Sequence, residues 1–182
     1  MCPARITTAA LAAGVDLIGE FVMTKSINEQ PQRPGHEHRR LDVFVGKWNA
    51  EGLSYAKEQS KENPYGSAVK WTSVESYEWL PGGFFLVHRW DACVGDDEFK
   101  GMETIDYDTP SQTYFTRAFD NYGNSPIYQA SVREGVWTCA GEWTRATVAV
   151  SDSGDTMTIN WEWKPDGVNW LPLCDRKATK AM

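Results

Sequence analysis

Few residues in this chain of 182 could carry chemistry, and its three histidines, His36, His38 and His88, come first. His88 lies in "LPGGFFLVHRWDACVG", an apolar and aromatic run, and is followed at once by Arg89 and Trp90. Imidazole titrates near neutrality, so His88 is the candidate general acid–base. The competing readings are a metal or haem ligand and a hydrogen-bonded histidine of a sheet. One histidine is too few for a typical catalytic zinc site. His36 and His38 belong to another element, and no metal site is expected. Arg117 is the candidate cation. It sits between Phe115 and Phe119 at two-residue spacing, so it would either pair with a ligand carboxylate or enolate oxygen, or with a carboxylate such as Glu75 or Glu103.

Other chemistries find less support. There is no Gly-x-Ser-x-Gly, and "GVDLIGE" lacks the Lys-Ser/Thr of a phosphate loop. Cys2, Cys93, Cys139 and Cys174 are widely spaced with no Cys-x-x-Cys. They read as free thiols of a reducing, cytoplasmic compartment, with a Cys93–Cys139 disulfide left open. A net charge of -7 argues against nucleic acid or an anionic membrane as partner.

The elements that must position these residues are strands. From Lys47 onward the sequence alternates apolar and polar residues and is punctuated by turn signals such as "PGG", "TPSQ", "DNYGNS", "SDSGD" and "KPDG". About ten strands at this spacing predict an all-β fold. Short turns make sequence neighbours hairpin partners, and closure removes the two exposed edges. The expectation is an up-and-down antiparallel β-barrel of about 8–10 strands, wide enough for one small ligand. "HEHRRLDVFVG" places Leu41, Phe44 and Val45 at helical spacing with Gly46 as a stop, predicting one short helix over the barrel's end. Residues 1–35 are expected to form an N-terminal extension, partly helical or disordered, ahead of the barrel at 36–182. The Ala-rich "ITTAALAAGVDLIGEFVM" carries Asp16 and Glu20 and is too short and too charged for a membrane span. Met23 is an alternative start.

Strand alternation sorts the faces. Phe84, Leu86, His88, Trp90 and Ala92 share one face, against Phe85, Val87, Arg89, Asp91 and Cys93. Both begin apolar, and the face with the histidine is the more natural lining. Nine Trp and seven Tyr exceed what a solid core needs, and such residues suit places where a polar edge finds a partner. Combining the strands gives an expected aromatic cavity of Trp79, His88, Trp90, Tyr107, Phe115, Arg117, Phe119, Trp161 and Trp163.

The segment "EHRRLDVFVGKWNAEG" resembles the calycin superfamily, which includes lipocalins and fatty-acid-binding proteins. In these a short helix precedes a Gly-x-Trp that closes one end of a barrel. His38, Leu41, Val45, Gly46 and Trp48, then Gly82, Gly83, Phe85 and Leu86, then Gly101, Tyr107, Asp108 and Asp120 together resemble a bacterial lipocalin-like family of unknown function. The resemblance spans about residues 36–179. It implies a barrel with an internal cavity and brings no activity with it. The nitrobindin-like branch takes a haem-ligating histidine from a late strand. Here "NWLPLCDRKAT" offers only Cys174, so no cofactor is expected.

The function read from these features is a lipocalin-like barrel binding a small hydrophobic or aromatic molecule, with at most a second copy of the chain as homodimer partner. The alternative is a cofactor-free isomerase, cyclase or hydratase using the cavity, with His88 as acid–base and Arg117 stabilising an oxyanion. The third reading is a structural or interaction module whose barrel is filled by its own aromatics.

Overall fold

The computed structural model describes residues 33–181, and the expectations for residues 1–32 lie outside them. Helix α1 (His36–Arg39) is a single turn that passes directly into a 3-10 turn over Arg40–Phe44. The strands follow as β1 (Gly46–Ser54), β2 (Val69–Trp79), β3 (Phe85–Val94), β4 (Asp97–Asp108) and β5 (Thr113–Asp120), then β6 (Ile127–Arg133), β7 (Val136–Ala140), β8 (Thr144–Val150), β9 (Thr156–Trp163) and β10 (Leu171–Lys180). Each strand pairs antiparallel with its neighbours in sequence, and β1 pairs with β10 from Trp48↔Lys180 to Ser54↔Cys174. The sheet is a closed ten-stranded barrel with no free edge.

The period-2 pattern is what decides the two faces. In β1, Trp48, Ala50 and Ser54 are buried while Lys47, Asn49 and Glu51 are exposed. In β2, the buried residues are Trp71, Ser73, Glu75 and Tyr77. The turn "PGG" joins β2 to β3, with Gly82 and Gly83 both at positive φ, a conformation that glycine adopts without a Cβ penalty. The helical segment stoppers one end. Leu41 and Phe44 enter the barrel, and the fully buried Trp48 donates from Nε1 to the Phe44 carbonyl at 2.8 Å. Phe44 stacks on Tyr77 and packs on Trp137. The core therefore gathers at the helix end, where Leu86, Ile105, Met157 and Ile159 join the same cluster.

The other half of the interior is built differently. Trp90, Phe99, Ala118, Cys139 and Trp161 lie on inward-facing positions yet are only partly buried. Several inward side chains on the far wall are small: Ala118, Ala130, Cys139 and Ala146. A ten-stranded barrel is wider than such side chains fill. Cys93 is exposed on the outer face of β3, whereas Cys139 points inward, and both are free thiols. The Cys93–Cys139 disulfide left open from the sequence is not formed, because the two side chains lie on opposite faces of the sheet.

Candidate functional site

Three strands bring the titratable groups together. His88 on β3 pairs across the ladder with Tyr77 on β2 and with Glu103 on β4. Glu75 sits two residues before Tyr77, so it shares the inward face one step along β2. His88 Nδ1 donates to Glu103 Oε1 at 2.9 Å, and Nε2 donates to Glu75 Oε2 at 3.0 Å. Arg176, arriving on the closing strand β10, donates from Nη1 to Glu75 Oε1 at 2.9 Å. Ser73 donates to the same oxygen at 2.7 Å and receives the Trp71 indole N–H at 3.2 Å. The Tyr77 ring stacks on the imidazole at 4.0 Å with the planes 2° apart, and the Arg176 guanidinium covers the Trp71 ring at 4.6 Å.

The geometry fixes the charge state. A neutral imidazole has one N–H, and an ionised carboxylate only accepts. Two carboxylates at hydrogen-bond distance from both ring nitrogens therefore call for the imidazolium. Burial opposes its charge, yet the hydrogen bonds it donates to Glu103 and then Glu75 outweigh that and raise its pKa to about 9. Glu75 is 1 % exposed. Burial would raise its pKa, but the bonds from His88, the charge of Arg176 and the Ser73 hydroxyl bring it down to about 2. Burial also raises the Tyr77 hydroxyl well above its ordinary value, and it pushes the Cys139 thiol up to about 12, with Glu103 adding to the effect. Cys139 is consequently a protonated thiol at neutral pH and a weak nucleophile.

His88 points into the barrel, as its face predicted. Trp90, Trp161 and Trp163 also take inward-facing positions and are partly buried, Trp161 packing against the apolar cluster. Trp163 donates from Nε1 to Gln59 of the β1–β2 loop at 2.6 Å. Trp79 and Tyr107 pack against the apolar cluster at the helix end, and Trp79 donates to Asp42 at 2.7 Å. Phe115, Arg117 and Phe119 are a correction. Tyr114 and Thr116 are the buried residues of β5, so the alternate set faces outward, with Arg117 and Phe119 exposed. Glu75 and Glu103, offered as partners of Arg117, are instead the partners of His88. The acid–base and oxyanion pair of His88 with Arg117 is therefore not assembled, since the two occupy opposite faces.

Sequence reasoning passed over Arg176 and Ser73, and it named Glu75 and Glu103 only as partners of Arg117. A signal existed for the two carboxylates. Glu75 shares its face with Tyr77 and Trp79, and Glu103 shares its face with Ile105 and Tyr107, so placing those aromatics inside places the carboxylates inside as well. Nothing local marks Arg176, because its partner lies 101 residues away.

Two crevices lie at the helix end. One of about 390 Å3 is bordered by Glu37, Arg40, Tyr107 and Tyr114, and one of about 620 Å3 by Arg40, Val43, Trp137 and Lys180. Neither includes His88, Glu75, Glu103 or Arg176.

The family model described as "Protein of unknown function (DUF1579)" matches residues 33–166. The chain belongs to this family. Among solved structures, Rv2717c from M. tuberculosis is similar over 81 % of this chain and 99 % of its own, at 11 % identity and a TM-score of 0.60. The S-type phycobiliprotein lyase CPES from Guillardia theta aligns over 84 % of this chain and 99 % of its own, at 8 % identity and a TM-score of 0.49. No curated protein matches in sequence. At such identity the first likeness is one of fold. Within the DUF1579 barrel, Glu75, His88 and Glu103 fall inside the matched range, while Arg176 lies beyond it. Among the described residues no helix is long and apolar enough to cross a membrane.

Proposed function

We propose that this DUF1579 protein is a small-molecule-binding barrel of the calycin type, working in the cytoplasm, that takes a hydrophobic or aromatic ligand into the half of its interior opposite the helix. The observation that carries this reading is the Glu75–His88–Glu103–Arg176 cluster inside the barrel. Desolvating four charges is expensive, and well-packed apolar residues of similar volume are often neutral or more stable in such a place. A barrel selected only for stability has little use for this cluster, whereas a binding chamber needs fixed polar groups against apolar walls. Partly buried Trp90, 5.3 Å from the His88 ring, and Cys139, which feels the charge of Glu103, lie beside it.

An enzyme using His88 as a base is the weaker reading. Both ring nitrogens are engaged by carboxylates, so the imidazolium has no lone pair to accept a substrate proton. A binding role makes no such demand. The test is native mass spectrometry of protein purified without detergent, followed by calorimetric titration of any molecule recovered. The expected result is a bound species of a few hundred daltons whose affinity falls at least tenfold in Trp90→Ala. Protein that carries nothing and gives no heat with any of a panel of aromatic compounds would overturn the reading in favour of a filled structural barrel.

A further inference from the structure

The outer face of the barrel is apolar in one sector. On β1 the outward residues include Lys47, Asn49 and Glu51, and on β9 they include Thr158, Asn160 and Glu162. Across β3 to β6 the ladders line up a different set. Phe85, Asp106 and Phe115 form one outward row, and Val87, Thr104, Arg117 and Ile127 form the next. Arg89, Met102 and Phe119 form the third. Phe85 is 46 % exposed, Phe119 52 % and Ile127 60 %, whereas Val87 among them is 2 % exposed. Antiparallel sheets that face water carry polar residues outward, so a face of this kind belongs under a cover. Phenylalanine, methionine and arginine are also the types enriched at protein interfaces.

The charges of the sector identify the occupant. At its rim, Lys100 pairs with Asp91 and Glu98, and Asp108 and Asp120 accept hydrogen bonds from their own turns. Inside it, Glu78, Arg89, Asp106 and Arg117 form no ion pair among the described residues. Burial raises the pKa of the half-buried Asp106 carboxyl, and Arg117 and His38 counter this only from beyond ion-pair distance. Two cations and two carboxylates are thus unmatched on one apolar face. A partner of a single sign would leave half of them unpaired. A second copy of the same face carries the complement of each.

We propose that two copies of the chain pair through the outward face of β3–β6 about a twofold axis, with Arg117 of each set against Asp106 of the other. Rows lie about 6.6 Å apart and strands about 4.8 Å apart. An axis crossing this grid diagonally at Thr104 exchanges the positions of Arg117 and Asp106. It also sets Phe85 on the partner's Phe119, Val87 on the partner's Met102 and Phe115 on the partner's Phe115. Arg89 falls near the axis at the rim, one grid step from the partner's Glu78. The strands of the two sheets then cross steeply, as in orthogonal sheet packing. Three rows on four strands cover roughly 400 Å2 per protomer, about half of a standard interface, so the dimer dissociates on dilution.

Sedimentation velocity of the full chain from about 1 to about 300 µM tests the proposal. The expected mass rises from one protomer towards two. Phe119→Asp should weaken association at least tenfold. Asp106→Arg and Arg117→Asp each set like charges against one another across the axis, so each alone should remain a single protomer. Mixed one to one, they should form a heterodimer, because every charge then meets its opposite. These side chains lie on the outside of one protomer, so the variants should keep the wild-type circular dichroism. A wild-type chain that stays a single protomer at every concentration overturns the proposal. So does a dimer that Phe119→Asp leaves intact, which puts the interface elsewhere. A mixture of the two charge variants that associates no better than either alone overturns the Arg117–Asp106 pairing and the axis with it.

Discussion

His88 is held by two carboxylates and a stacked phenol, and the consequence is a pH dependence of stability with a definite sign. Its pKa rises from an ordinary 6.5 to about 9 in the folded protein. The stabilisation it brings is therefore fully present below about 6.5 and is lost as the pH rises through about 9. Glu75 moves the other way, from 4.5 to about 2, so its contribution is present above about 4.5 and is lost as the pH falls through about 2. Unfolding by urea should show greatest stability between these windows and a decline from pH 6.5 to 9. His88→Ala leaves two carboxylates without their shared cation, and breaking such a buried pair costs about 3–5 kcal/mol. That variant should also lose the alkaline decline, while Arg117→Ala on the outer face should change stability by no more than about 0.5 kcal/mol. A wild-type stability that is flat from pH 6.5 to 9 would contradict the imidazolium. The contrast between these two residues also explains what the sequence could tell. In "FFLVHRW" either face was apolar enough to line a cavity, and the shared face of His88 with Leu86 and Trp90 pointed the right way. In "TYFTRAF" Phe115, Arg117 and Phe119 lie outside, and Tyr114, Thr116 and Ala118 lie inside. The inward wall at this point is built partly from small residues, and aromatic content alone misreads it.

On strand β4, Gly101 is a position where a side chain cannot be accommodated without moving its neighbours. A Cβ on Gly101 would sit 2.2 Å from Cζ2 of Trp90 and 2.4 Å from the Phe119 carbonyl oxygen. The bare glycine lets the Trp90 indole lie across β4, next to Glu103. Gly101→Ala should therefore displace the indole, alter the near-ultraviolet circular dichroism and tryptophan emission, and destabilise by about 1–3 kcal/mol, as overpacking does. Adding Trp90→Leu should rescue only part of this, because the carbonyl contact belongs to the β5 backbone. Full rescue would show that the clash is with the ring alone. At this scale the strands were readable because alternation and turn residues are local signals, and all ten appear where turns divide the sequence. The short helix was readable as helical but not as one α turn continued by a 3-10 turn. Its length is set by the width of the barrel end that Leu41 and Phe44 must close, which is a tertiary constraint.

Closure is a property of the whole molecule, and it depends on the segment beyond the family match. That match ends at residue 166, whereas β10 spans Leu171–Lys180. Without β10, strands β1 and β9 would both present unpaired backbone, the arrangement from which edge-to-edge aggregation grows. The same strand delivers Arg176 to Glu75, and it buries Cys174 and Ala178. The pairing Trp48↔Lys180 joins residues from opposite ends of the barrel sequence, so the ring can close only after a large loop has been brought together, which is slow for all-β topologies. A chain ending at residue 166 should consequently fail in two ways at once: an open sheet, and a buried carboxylate stripped of its guanidinium. We expect it to be aggregated on size-exclusion chromatography and to lack a cooperative thermal transition. Full-length Arg176→Met should elute as the wild type does and keep its barrel, because the ring still closes, while losing stability through Glu75. If the truncated chain were monomeric with a sharp transition near that of the full chain, β10 would be an accessory to a sheet that is stable open, and the electrostatic cluster would have to be completed without Arg176.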